Sequence, residues 1–171
     1  MFNHTLFNLR FIPALCAAAL LTAFHLPAQA QLAPGAIEVI SIAEQEITTV
    51  NNGKKEIKRI PVSKAVPGDA IIYTTTFKNL IKKPAANIVI TNPVPNDSIY
   101  QGGSGSGANT DITFSIDGGK QYAAPDKLIV KTKEGKTRPA LPTDYTHIRW
   151  AYKGELGVGK SSEVSFRAVI K

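Results

Sequence analysis

Apolar side chains recur with a period of two along most of this chain, in short runs bounded by Gly, Pro and Asn, and no stretch sustains the three-and-four spacing of a helix. That alternation confines the chain to extended segments and predicts an all-β fold. A clear instance follows Pro67-Gly68-Asp69. Ile71, Tyr73, Thr75 and Phe77 share one face of the run, and Ile72, Thr74, Thr76 and Lys78 share the other. The first set reads as the core face. Near the C-terminus, Ile148, Trp150 and Tyr152 alternate with His147, Arg149, Ala151 and Lys153; further on, Val164, Phe166, Ala168 and Ile170 alternate with Glu163, Ser165, Arg167 and Val169. These two strands are expected to pair across the loop "GELGVGK".

The remaining segments fit the same scheme. "AIEVISIAEQEITTV", then Asn51-Asn52-Gly53, then "KKEIKRIPV" reads as a hairpin, because Asn-Gly accepts the positive φ of a tight turn. A short strand from Asn87 to Thr91 stops at Pro93 and Pro95, which cannot donate to a ladder. "QGGSGSGAN" reads as a flexible, linker-like loop, "TDITFSIDGGKQY" as a hairpin, "KLIVKT" as a strand and "GKTRPALPTD" as irregular. The sum is a sandwich of two packed antiparallel sheets with about seven to nine strands.

Residues 1–30 have the parts of a secretory signal: Arg10, an apolar run from Phe11 to Phe24, the helix breaker Pro27, and Ala28-Gln29-Ala30 as a small-residue cleavage site. The apolar run is shorter than the roughly 20 residues that span a bilayer, so cleavage before Gln31 is expected, with no transmembrane anchor afterwards. Leu15 stands where a lipoprotein motif around Cys16 needs a small residue, so no lipid anchor is expected either. The reading implies export by the Sec pathway to the periplasm or the cell surface. Cys16 is the one cysteine and would leave with the signal, so the fold would rest on packing without disulfides. Loss of Arg10 takes the formal charge from +7 to +6, with 19 basic against 13 acidic side chains. Such a surface favours anionic polymers or membranes, and also solubility.

The chain resembles the DUF11 repeat domain, an immunoglobulin-like β-sandwich of bacterial and archaeal envelope proteins. The resemblance rests on Pro67, Gly68, Asp69, Ile71, Tyr73, Phe77 and Asn79, then Ala85, Asn87, Ile88, Ile90, Thr91, Val94 and Pro95, and finally Trp150, Gly154, Leu156, Gly159 and Ser161. Asn92 replaces the usual Asp, Thr75 occupies a normally aliphatic position, and Val158 stands where Pro is common. One domain over 31–171 is expected from its length; the resemblance makes 31–64 an N-terminal hairpin extension and 65–171 the matching core. It implies a scaffold or interaction role, in a single copy, and no catalytic residue.

The chemistry-bearing residues support that expectation. Ser115-Ile116-Asp117-Gly118-Gly119-Lys120-Gln121-Tyr122 has the form of an Asp box, a hairpin corner in which Asp accepts backbone N–H groups and Gly takes positive φ. Sialidase-type propellers repeat it; one copy implies a corner only. After cleavage His147 is the one histidine, Asp144 lies three residues before it, and no G-x-S-x-G elbow supplies a nucleophile, so no enzyme is expected. One imidazole does not make a zinc site, and Asp97, Asp111, Asp117 and Asp126 follow no calcium-loop spacing. "GGSGSG" lacks the Lys-Ser/Thr of a phosphate loop. No metal, nucleotide or other cofactor is expected.

Two basic surfaces carry the remaining functional content. If the last two strands pair, His147, Arg149, Lys153, Arg167 and Lys171 form one solvent-facing stripe, a candidate site for polyanions such as sulfated glycans or lipopolysaccharide. Lys54, Lys55, Lys58, Arg59 and Lys64 form a second cluster along the N-terminal hairpin. Lysine on an edge strand also deters pairing with other chains. The expected partners are envelope proteins or anionic surface polymers.

Overall fold

In the computed structural model, residues 35–171 are described; the signal segment and the start at Gln31 lie outside them. The described residues form thirteen strands: β1 Ile37–Asn51, β2 Lys54–Pro61, β3 Ala70–Asn79, β4 Ala85–Ala86, β5 Val89–Pro93, β6 Ser98–Tyr100, β7 Ser106–Gly107, β8 Thr110–Ser115, β9 Ile129–Lys131, β10 Thr137–Pro139, β11 His147–Tyr152, β12 Glu155–Leu156 and β13 Ser161–Ile170. Two 3₁₀ turns, Pro125–Lys127 and Pro142–Asp144, flank the β9–β10 pair.

The fold is an all-β sandwich of antiparallel sheets. One sheet runs β2-β1-β3-β13-β6, with β7 also on β13, and the facing sheet runs β5-β11-β8. The count exceeds the expected seven to nine because five of the strands are two- or three-residue ladders in loops: β4 on β12, β9 on β10, and β7. Such short pairs carry no periodicity for a sequence to display.

The inner faces are those the alternation marks. Register places Ile71 opposite Ala168, Tyr73 opposite Phe166 and Thr75 opposite Val164 in one sheet. In the facing sheet Trp150 lies between Ile90 and Ile112, and Ile148 lies beside Phe114. Trp150, Phe77, Phe166 and Ile148 are sealed from solvent, and the Trp150 and Phe166 rings sit 6.1 Å apart across the layer. Bulky rings from both sheets therefore interlock at the centre, which is where most of the stabilising apolar burial lies.

The Pro-Gly-Asp corner explains how β3 is entered. Gly68 adopts φ +96°, a conformation costly for any residue with a Cβ. The Asp69 carboxylate accepts from Val66 N–H at 2.9 Å, while Gly68 N–H donates to Ile170 O and Ile170 N–H donates to Asp69 O. The corner thus fastens the start of β3 to the end of β13. At the other end of β3, buried Asn79 donates to Lys83 O, Leu156 O and Gly157 O at 2.8, 2.8 and 3.2 Å, and accepts from Ile81 N–H at 3.0 Å.

Three local expectations change. The second face of β3 is not simply solvent-facing, since Ile72 is 2% and Thr74 9% exposed. The strand is central, and the Glu46–Arg167 ion pair joins its two neighbours across that face, covering Ile72. The glycine-rich segment is not a free linker. Gly105 N–H donates to the Tyr100 hydroxyl at 2.8 Å, Ser104 exchanges hydrogen bonds with the Arg167 backbone, and β7 pairs with β13. A Cβ at Gly107 would stand 2.8 Å from Val164 Cγ1, so glycine there permits the segment to lie directly on the core. The proline-rich stretch holds β10, paired with β9, and Arg138 forks onto Asp144 at 2.6 and 2.8 Å.

Candidate functional site

The terminal basic stripe does not form. β11 is hydrogen-bonded to β5 and β8, and β13 to β3, β6 and β7, so the two strands lie in opposite sheets. The reason is in their connection. Leu156 is 4% exposed and enters the core, while β12 pairs with β4, so the segment between them crosses from one layer to the other. His147 and Arg149 consequently face out from one sheet and Arg167 from the other.

The five residues have separate partners. Arg167 grips Glu46 through two nitrogens at 3.1 and 2.7 Å. That hydrogen-bonded pairing holds the Glu46 carboxyl below its ordinary range and the Arg167 guanidinium above its own, with Arg59 adding a contact at 3.4 Å. Lys171 Nζ donates to Asn96 O at 2.9 Å. Lys153 meets Asp111 at 3.0 Å on open surface. The Arg149 guanidinium lies 3.5 Å above the Tyr122 ring, a cation–π contact. His147 Nδ1 lies 3.2 Å from the Thr146 hydroxyl.

The Asp-box corner adopts the expected geometry. Asp117 accepts from the Ser115 hydroxyl at 2.7 Å and from the N–H groups of Lys120 and Gln121 at 3.1 and 3.0 Å, and Gly118 and Gly119 both take positive φ. The Ser115 hydrogen bond, ahead of the backbone donors, lowers the Asp117 carboxyl below its usual range. The single bridge Phe114–Ala123 closes the hairpin. Of the other acids weighed for calcium, Asp111 and Asp126 contact Lys153 and Lys127. Among the described residues, no group of three or more His, Cys, Asp or Glu is placed to hold a metal ion.

The second basic cluster fares differently. β1 pairs with β3 only from Ile37 to Gln45, but with β2 from Glu44 to Asn51. Beyond Gln45 the hairpin is therefore a two-stranded ribbon with no third strand among the described residues. About six residues at the strand rise give it a reach of about 20 Å. Asn52 and Gly53, with φ +49° and +77°, form its tip. Lys54, Lys55 and Lys58 lie on it with Glu56, and Arg59 at its base pairs with Glu46. Lys64 lies off the ribbon, in the link to β3. The charge pattern gives no sign of the aliphatic part. Val50 and Ile57 are 69% and 71% exposed and neighbour each other diagonally on one ribbon face. The unbroken "ITTV" and "EIK" alternation either side of Asn-Gly is the available signal.

No family model matches this chain, and no curated protein matches it.

Proposed function

We propose that this chain is an exported, non-enzymatic module of the cell envelope, immunoglobulin-like and akin to the DUF11 repeat domain, which works by holding a partner rather than by transforming one. The observation that carries the reading is the β1–β2 ribbon. It adds nothing to the sandwich core, since every β2 residue but one is exposed, and an unsupported two-stranded ribbon is marginally stable in water. A projecting ribbon with solvent-facing Val50 and Ile57 beside three lysines has the makings of a contact arm. The sequence signal at residues 1–30 supports an address outside the cytoplasm, in the periplasm or at the surface. Cell fractionation with in-cell crosslinking and mass spectrometry tests the reading. It requires an extracytoplasmic chain with recurrent neighbours that vanish when residues 47–58 are replaced by a short turn. A cytoplasmic chain, or neighbours indifferent to that deletion, contradicts it.

A second reading, binding of an anionic glycan or lipopolysaccharide, is favoured by the ribbon lysines rather than by the five residues of the terminal strands. It requires heparin retention that falls steeply with salt and weakens in a Lys54/Lys55/Lys58 charge reversal. Retention unchanged by both counts against it.

A further inference from the structure

The flank where edge strands β6 and β8 face each other holds a cavity of about 330 Å³ that the ribbon reading leaves unused. Its wall is three aromatic rings. Phe114 stacks on Tyr145 at 4.4 Å, and Tyr100 meets Phe114 edge-on at 5.1 Å and Tyr145 at 5.7 Å. Pro125 and Pro142, from the two 3₁₀ turns, form the rim, and the glycine-rich segment closes the remaining side.

The wall is fixed in advance. The Tyr100 hydroxyl receives Gly105 N–H, which locks that ring to the loop, and a side chain at Gly105 would strike it at 3.1 Å and Ile148 at 3.0 Å. Gly102 lies equally close to Pro142, with 3.1 Å between a built Cβ and Pro142 Cγ. A Cβ at Gly103 would meet nothing within 4 Å, so no other atom crowds that point of the lining. The cavity is large enough for a small organic molecule, and water against apolar rings is readily displaced by an apolar guest.

The lining also sets the guest's chemistry. It contains no ionisable acid or base other than tyrosine, whose phenol is neutral at pH 7, and burial pushes the Tyr145 phenol further in the same direction. A charged guest would lose hydration with no counter-charge to replace it. Planar walls of stacked rings favour a planar guest. We propose that this cavity is a binding site for a small, uncharged aromatic molecule, independent of the ribbon.

Indole serves as the probe, titrated into the ¹⁵N-labelled protein and followed by NMR. The proposal requires saturable shifts at the amides of Gly102, Gly103, Gly105 and Ile112. Ile112→Trp, which fills the cavity, and Pro125→Glu, which puts a carboxylate on its exposed rim without touching the core, should each weaken binding by about tenfold or more. Indole-3-acetate, the charged analogue, should shift these amides far less. Shifts that do not saturate or that fall elsewhere, equal binding by the two variants, or equal binding of the anion would each overturn the proposal.

Discussion

Replacing Asn79 tests whether one buried amide holds the end of β3 to the chain that crosses between the sheets. Its side chain is fully buried and serves four backbone groups, of which the bond to Leu156 O is the most deeply enclosed. Asn79→Ala removes the buried hydrogen bond to Leu156 O, at about 1–3 kcal/mol, and leaves the three partly buried groups to find water at smaller cost. With the small cavity added, the loss should be about 3–5 kcal/mol, a large share of the stability of a domain this size. At an unfolding entropy of about 0.3 kcal/mol/K, this lowers Tm by roughly 10–17 °C. Asn79→Asp is more informative because its shape is conserved. The introduced carboxylate still accepts from Ile81 N–H but cannot donate, and it faces three carbonyl oxygens. At pH 7 it should be less stable than Asn79→Ala. Its folded pKa must be raised above the unfolded value of about 3.9, so its stability is recovered below that pH and is lost as pH rises through the folded value. Urea denaturation read by Trp150, the only tryptophan and wholly buried, measures both variants. An Asn79→Asp protein as stable as the parent at pH 7, or one whose deficit is the same at pH 4 and pH 7, would refute the reasoning.

Other perturbations follow from the same geometry. Arg138 hydrogen bonds hold the Asp144 carboxyl below its ordinary range, with Leu141 N–H assisting; a depressed folded pKa stabilises above the unfolded value and ceases to as pH falls through the folded one. Asp144→Asn should therefore lower Tm at pH 7, and the gap should close as the pH of the scan is taken down below about 4. Gly107→Ala places a methyl 2.8 Å from Val164 and 3.2 Å from Trp150, and should cost about 1–3 kcal/mol by denaturant unfolding. Thr75→Val removes the hydroxyl that accepts from Asn92 Nδ2 and bonds Ser41, both at 2.8 Å. A Thr75→Val, Asn92→Val cycle should show coupling of about 0.5–3 kcal/mol, and strict additivity would deny the inter-sheet bond.

The Thr75–Asn92 contact also shows what a sequence carries and what it hides. Each residue departs from the pattern the chain resembles, and read singly each is a polar intrusion on a core face; only the folded chain shows that they satisfy one another across the sheets. Alternation identifies the inward residues along β11, β13 and the odd positions of β3, because a pleated strand turns successive side chains to opposite faces. It carries no information about which strand lies alongside which. Pairing β11 with β13 follows from proximity in sequence alone, and Leu156 diverts the chain into the other layer. With that pairing goes the basic stripe. The ribbon is visible as a hairpin from Asn52-Gly53, but its projection depends on β3 ending its partnership at Gln45, a matter of register between distant segments. The ring-lined cavity has no local signature, since Tyr100, Phe114 and Tyr145 come from three separate parts of the chain.

The central claim is that the β1–β2 ribbon, and not the outer face of β11, is where the protein meets its partner. A photo-crosslinking amino acid placed at Ile57 in living cells, compared with the same probe at Arg149, tests it most directly. The account predicts a discrete crosslinked species from position 57 and none from position 149. Crosslinks from 149 alone, or from neither position, would contradict it.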